Sequence, residues 1–423
     1  MNNKSFQRLV TYLEIWLTGL LLFYFVSPRF FPELIAKFFD VFSYAIVAFL
    51  IVLRWKKFVY VATRDIPLLL LFGMVAISGL WSAFPELTSI TFKAMLRTIL
   101  FGMYLATRYN IKEQIRLLTW VFGITTLCSL IFSLALPSYG IYSNGAWRGI
   151  FPYKNHLAVH MVLSAMLFMF AGFNKSKLRW IAWIGLAIAT ALVFLSLSKG
   201  GYVIFVTALY LLPLHKFVKQ QYKSRAILLF SALAISTIIS LLILTNEKTI
   251  LVNVLGKDTE LNGRTPIWML CIEQALKRPW LGYGISGFWG SNQSIVIQRT
   301  TWAGNHLSIH EFQKFNSHNG YIEIFLQLGF LGLSIYLLNF FNTLFRVIYI
   351  WMATATLESF WMFQTLIIML LYNFSDSGGI LSRGTIWIMY VSISLSSAVW
   401  LKRIKNNHQL QMNSSQNLAN SSL

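Results

Sequence analysis

The segment Asn316-Ser317-His318-Asn319-Gly320-Tyr321-Ile322-Glu323 puts a histidine at the mouth of a long hydrophobic stretch, with Glu323 less than two helical turns below it. Histidine titrates near neutrality and accepts a proton from a hydroxyl nucleophile. The same residues also fit a plain helix start, with Ser317 and Asn319 as caps and His318 anchored among lipid headgroups. Upstream, Thr265 as N-cap, Pro266 at the first helical position and Lys277 and Arg278 ahead of Pro279 predict a short helix. Arg264 stands just ahead of that start. An arginine there adds a bidentate fork to exposed amides and the positive end of a helix dipole, which is phosphate-binding chemistry. Pairing with Asp258 or Glu260 is the alternative.

More cations share this company. Arg148 and Lys154 open the sixth hydrophobic run, and Lys199 sits in the Ser198-Lys199-Gly200-Gly201 break between the seventh and eighth. Lys93 and Arg97 lie inside the fourth, where cations line a polar cavity or snorkel, with Glu14 as a partner inside the bundle. Asp376 is the one acidic residue of the last external loop. His156/His160 and His306/His310 have the i, i+4 spacing of metal ligands, but neither pair encloses the glutamate of a zinc hydrolase. The glycines at 282, 284 and 287 lack the strand and Lys-Ser/Thr of a phosphate loop and read as tight turns among interfacial aromatics. A cationic site with few carboxylates suits a diphosphate better than a metal, a cationic solute or a bond cleaved by paired acids. No metal or cofactor is expected.

The elements that must hold these residues follow from composition. Of 423 residues, 57% are apolar and 12% charged, far too little polar surface for a soluble fold. The net charge of +21 is not a nucleic-acid signature, because the basic residues fall in short clusters between hydrophobic runs, as topology signals do. Runs near 9–27, 34–53, 66–83, 88–107, 115–136, 156–173, 179–197, 200–214, 226–245, 320–341, 357–374 and 385–401 predict an all-α membrane protein of twelve helices. The short segments on one side carry far more Lys and Arg than those opposite, which makes both termini cytoplasmic. Residues 1–245 then form nine spans, 246–319 one long periplasmic loop, 320–401 three more spans and 402–423 a disordered cytoplasmic tail. No cytoplasmic loop has room for a nucleotide-binding domain. Cys128 falls in a hydrophobic run and Cys271 in a polar loop, too far apart to pair.

The whole chain resembles the bacterial O-antigen ligase and polysaccharide polymerase superfamily, membrane glycosyltransferases that act on undecaprenyl-diphosphate-linked glycans. Ser317 to Glu323, followed by Gln327-Leu328-Gly329-Phe330-Leu331-Gly332, is similar to the family's His-Asn motif, whose histidine is the proposed base. Asn262-Gly263-Arg264-Thr265-Pro266-Ile267-Trp268 with Arg278-Pro279-Trp280-Leu281-Gly282-Tyr283-Gly284 is similar to its arginine-containing loop, which carries the diphosphate-binding role onto Arg264. Arg148-Gly149-Ile150-Phe151-Pro152-Tyr153-Lys154-Asn155 looks most like the exopolysaccharide-polymerase branch. Lys199 stands where ligases show an arginine, keeping the charge without the fork.

The resemblance implies metal-independent, inverting transfer of a glycan from undecaprenyl diphosphate at the periplasmic face of the inner membrane. His318 would be the base. Arg264, Lys199, Arg148, Lys154 and Asn319 would bind donor or substrate, with Glu323 and Asp376 in support. The acceptor would be another repeat unit in a polymerase, or lipid A-core or protein in a ligase-type enzyme, with other polysaccharide-assembly proteins as further partners. Transport through Lys93, Arg97 and Glu14 is the reading from a different class, opposed by the absence of a visible inverted repeat.

Overall fold

The computed structural model describes residues 3–173, 179–218, 263–302 and 315–421. The ninth predicted span, His306, His310, Asp258 and Glu260 lie outside them. Among the described residues the chain is helical, with one isolated bridge between Ile141 and Trp147. The first helices are α1 (Asn3–Val26), α2 (Glu33–Val52), α3 (Trp55–Ala62), α4 (Ile66–Ile77), α5 (Pro85–Arg108) and α6 (Ile111–Ala135). A single turn, α7 (Pro137–Gly140), precedes α8 (Lys154–Phe173), α9 (Arg179–Leu195), α10 (Lys199–Tyr210) and α11 (Leu212–Val218). Then come α12 (Arg264–Lys277), α13 (Ile295–Thr300), α14 (Gly320–Thr354), α15 (Leu357–Ser375) and α16 (Thr385–Ser421).

Seven of these are long and apolar enough to cross a membrane, or eight if α3 and α4, bent by 96°, make one broken span. The other predicted spans among the described residues differ for plain reasons. The helix α5 has the length but carries Lys93, Arg97 and several threonines, while α9 and α10 are short. Large apolar side chains such as Trp16, Leu34, Val41 and Trp120 face outward, where only lipid can cover them. The chain is a multi-pass membrane protein. At its centre α8 is buried on nearly every side, as is the first half of α16, where the polar side chains present, such as Ser164, Ser394 and Ser397, are hydrogen-bonded within the bundle.

Buried ions join helices that hydrophobic packing alone would leave free to slide. Glu14 accepts from Arg54 at 3.0 and 2.8 Å, from Arg108 at 2.8 Å and from Tyr104 at 3.0 Å. Arg97 instead pairs with Asp40 at 2.7 Å, and Asp65 binds Arg346, Asn339 and Ser394. The sequence-based pairing of Glu14 with Lys93 and Arg97 is thereby corrected: Glu14 staples α1 to the basic ends of α3 and α5. Such pairs hold because each carboxylate has several donors.

One helix is interrupted. At Gly329 the backbone of α14 turns to φ 65°, ψ −168°, and residues 279–283 fill the gap. The Phe330 N–H donates to the Pro279 carbonyl at 2.7 Å, and the Tyr283 N–H to the Leu326 carbonyl at 3.1 Å. A Cβ on Gly329 would lie 2.3 Å from the Trp280 carbonyl carbon, so only glycine fits. The segment from Gly320 to Leu328 thus packs with α12 and the chain that follows it. The final helix α16 runs on to Ser421 where composition predicts a tail from 402. A packed span supplies the nucleus, and extending it one residue at a time is far cheaper than starting a helix.

Candidate active site

His318 lies one residue ahead of the N-cap of α14 in the left-handed region, at φ +53°. That conformation costs a non-glycine residue about 1–3 kcal/mol, so its surroundings must impose it. They do so through Ser317, whose polar groups are all engaged. The Ser317 N–H donates to Glu323 Oε2 at 2.8 Å, its hydroxyl donates to the Asn319 carbonyl at 2.8 Å, and its carbonyl accepts from Trp268 Nε1 at 2.8 Å. The His318 N–H donates to Asn316 Oδ1 at 2.9 Å. The imidazole then sits between Trp302, nearly parallel at 6.3 Å, and Phe315, perpendicular at 5.4 Å.

Burial holds the His318 imidazole below its ordinary pKa; Asp376 opposes this, while Arg264 and His156 reinforce it. At neutral pH the ring is therefore uncharged and able to take a proton.

Arg264 is the first residue of α12 itself, two places further into the helix than the sequence suggests, because Gly263 at φ +72° and not Thr265 is the N-cap. Its Nη1 donates to the Ser375 carbonyl at 2.7 Å, at the end of α15. Trp268, four residues on and so on the same helix face, carries the bond to Ser317, and α12 thereby fixes Arg264 and the His318 loop together. Cys271 is buried inside α12, not in a polar loop, and burial pushes its thiol well up.

Next to Ser375 stands Asp376, whose Oδ1 accepts from the Gly378 N–H at 3.0 Å and whose Oδ2 lies 4.0 Å from His156 Nε2. Lys154 and Lys199 are the first residues of α8 and α10. These two starts are tied, because Ser198 caps α10 and its hydroxyl donates to Asn155 Oδ1 at 2.9 Å, while Lys154 Nζ reaches the Leu197 carbonyl at 3.5 Å. A Cβ on Gly200 would come within 3.4 Å of Ser375 Oγ, which brings the start of α10 against the carbonyl that holds Arg264. Three helices that each begin with a cation thus start around Ser375 and Asp376. The dipoles of those helix starts add to the side-chain charge.

Other predicted residues have local duties. Asn319 Oδ1 accepts from the Tyr321 and Ile322 N–H groups at 3.0 and 3.2 Å and so caps α14. Glu323 is enclosed, and besides Ser317 it accepts from Trp289 Nε1 at 2.8 Å and Gln327 Nε2 at 2.5 Å. Arg148 donates to the Tyr139 carbonyl at 2.7 Å and lies over the Tyr142 ring at 4.7 Å. No described contact joins it to Arg264, His318 or Asp376. The His156/His160 pair divides: His156 faces Asp376, while His160 lies near the rings of Phe122 and Phe151 in the core. His156 was visible in the sequence only as half of a metal pair, Asn155 and Trp268 only as members of family-like segments with no role, and nothing there signalled Trp302.

The O-antigen ligase family matches residues 184–337, a segment that contains Lys199, Arg264, His318 and Glu323. The exopolysaccharide production protein ExoQ of Rhizobium meliloti (strain 1021) is 25% identical over 262 residues, covering 60% of this chain. The chain is thus similar to the O-antigen ligase family over part of its length. The match spans 58% of the Rhizobium protein's length. Arg148, Lys154 and Asp376 lie outside the matched family segment, and the fold places Lys154 and Asp376 near Arg264.

Proposed function

We propose that the protein transfers a glycan from undecaprenyl diphosphate to a sugar hydroxyl at the periplasmic face of the inner membrane, polymerising repeat units of a surface polysaccharide. The observation that carries this reading is the tie between the His318 loop and the helix that begins with Arg264, made by the Trp268 Nε1 bond to the Ser317 carbonyl at 2.8 Å. His318 takes the proton of the acceptor hydroxyl as its oxygen attacks the anomeric carbon. The bond from that carbon to the diphosphate breaks on the opposite face, its electron pair stays on the departing oxygen, and the configuration inverts. Arg264, Lys199 and Lys154, with the starts of their helices, meet the charge that develops on the diphosphate. On this reading the reaction needs no nucleotide, since the diphosphate bond supplies the energy, and the chain's own cations neutralise the leaving group in place of a metal. His318 is the base, Asn319 and Glu323 hold its loop, and Asp376 sets its charge environment. Arg148 braces the 137–152 turn.

The name of the Rhizobium relative favours the polymerase reading. The description of the matching family favours a second, in which the same donor site delivers finished polysaccharide to lipid A-core. Purified protein in proteoliposomes, given undecaprenyl-diphosphate-linked repeat units and EDTA without nucleotide, should lengthen them. Product formed only on an added lipid A-core acceptor would favour ligation, and loss of turnover restored by a divalent ion would overturn metal independence. A reporter fused near Asn292 should be active only in the periplasm; cytoplasmic activity would invert the topology.

A further inference from the structure

The helix α12, which carries Arg264 at its start, is apolar on both of its sides. The inner side packs Ile267, Cys271 and Ala275 into a cluster with Phe288, Phe325 and Leu326. On the other side Met269, Ile272 and Leu276, three and four residues apart and so on one face, are bare, with Met269 67% and Leu276 56% exposed. Along one flank of that stripe Glu273 and Lys277 pair at 3.3 Å, both in the open. We propose that α12 lies in the plane of the membrane surface, with this stripe and Trp280 sunk among the phospholipid acyl chains of the periplasmic leaflet.

Both ends of α12 are tied to the ends of spans. The 19 residues of α15 cover about 28 Å, the thickness of a hydrocarbon layer, so Ser375 at its end lies at a membrane surface. From Phe330 to Thr354 α14 makes one crossing, and only Ala355 and Thr356 join it to α15, so Phe330 and Ser375 share that surface. Arg264 Nη1 donates to the Ser375 carbonyl at 2.7 Å, and just past the other end of α12 the Pro279 carbonyl accepts from the Phe330 N–H at 2.7 Å. Trp81, directly after the apolar helix Ile66–Leu80, donates through Nε1 to the Leu281 carbonyl at 2.8 Å. A helix of 14 residues, about 21 Å long, that begins and ends at one surface lies along it.

The packing also selects the side that faces lipid. Phe325 and Leu326 precede the break at Gly329, so the cluster that receives the inner side of α12 stands above the surface marked by Phe330. The bare stripe is opposite that cluster and turns towards the bilayer. It is continuous with a face that lipid covers: Trp280, 73% exposed, meets Phe330 edge-on at 6.3 Å, and Leu331, Leu338, Phe341 and Phe345 continue down α14 as an exposed apolar row at helical spacing. An apolar stripe flanked by a charged pair, with a tryptophan at the boundary, is how an in-plane helix sits between headgroups and acyl chains. The consequence for the site rests on the transfer reaction proposed above. Lipid holds Arg264 at the level of the phospholipid phosphates, which is where the diphosphate of a membrane-bound donor arrives.

Spin labels on Met269→Cys, Leu276→Cys and Lys277→Cys report the depth directly, each in a chain with Cys128→Ser and with that chain lacking the new cysteine as blank. The protein is placed in nanodiscs of phosphatidylethanolamine and phosphatidylglycerol without lipid-linked donor. Labels at 269 and 276 should meet oxygen several-fold more than a water-soluble nickel chelate, and the label at 277 should show the reverse. Free access of nickel at all three positions would overturn the proposal, because the stripe would then face water. Shielding of 269 and 276 from both reagents would overturn it too, because protein would cover the stripe. Leu276→Glu should raise nickel access at the 269 label and raise donor KM about tenfold or more, the worth of one leucine leaving the acyl layer, while acceptor KM holds. Leu276→Phe should keep parental values. A stripe found in lipid and lifted by Leu276→Glu, with donor KM unchanged, would uphold the interfacial helix and sink the place of Arg264 in the transfer reading instead.

Discussion

Replacing Glu323 by glutamine separates a residue that positions the His318 loop from one that takes the proton. Both carboxylate oxygens of Glu323 accept hydrogen bonds: Oε2 from the Ser317 N–H, and Oε1 from Trp289 Nε1 and Gln327 Nε2. An amide of the same shape offers one accepting oxygen and one donating NH2. Whichever way it turns, an N–H faces an N–H, and a buried donor loses its partner. That costs about 1–3 kcal/mol, which corresponds to about a 5- to 150-fold shift away from the loop geometry that presents His318. The Trp268–Ser317 bond and the Asn319 cap remain, so the lower part of that range applies. We expect kcat to fall about tenfold, donor KM to hold and thermal stability in detergent to drop, all read from initial rates with purified lipid-linked donor and from melting curves. Parental kcat and stability together would show that the carboxylate does not hold the loop. A loss as deep as that of His318→Ala would refute the reasoning from the other side, because Glu323 would then be the base.

Gly329→Ala should cost at least about 3 kcal/mol, since the new Cβ meets backbone at 2.3 Å in a glycine-only conformation; parental yield and melting temperature would contradict the interrupted helix. Arg264→Lys should recover only part of the donor affinity lost in Arg264→Ala, because a point charge remains without the fork, and equal donor Kd for lysine and arginine would remove the bidentate role. The folded His318 resists protonation, so activity should be flat at pH 7 and fall as pH drops below about 6.5, and stability contributed by its neutral form should fall in the same direction. An acid limb that begins above pH 7 in kcat/KM would contradict the lowered pKa.

The membrane class was legible because hydropathy is a local signal, and His318 and Arg264 stood out as candidates near helix starts, although Gly263 and not Thr265 caps α12. It also carried the break before Lys199, where Ser198 does cap α10. What it could not carry was assembly. Lys154, Lys199 and Arg264 begin three helices far apart in the chain, and only the packing of α8, α10 and α12 around the end of α15 brings them together. Glu14 was legible as a buried charge but not its partners, since Arg54 and Arg108 come from segments that read as cytoplasmic clusters. The break in α14 was hidden for a similar reason: a lone glycine in an apolar run reads as tolerated until another segment, here residues 279–283, enters beside it. Asn319 and Glu323 were recognisable as polar residues near a histidine, but their work on Ser317 depends on the turn itself.

The central claim is that the neutral imidazole of His318 removes the acceptor proton. The direct measurement is the transfer rate of purified His318→Ala over a range of pH, with donor binding measured alongside. The account predicts a loss of about 10²–10⁴-fold, unchanged donor binding and disappearance of the acid limb from the residual activity. Near-parental transfer by His318→Ala, or an acid limb that persists without the imidazole, would contradict it.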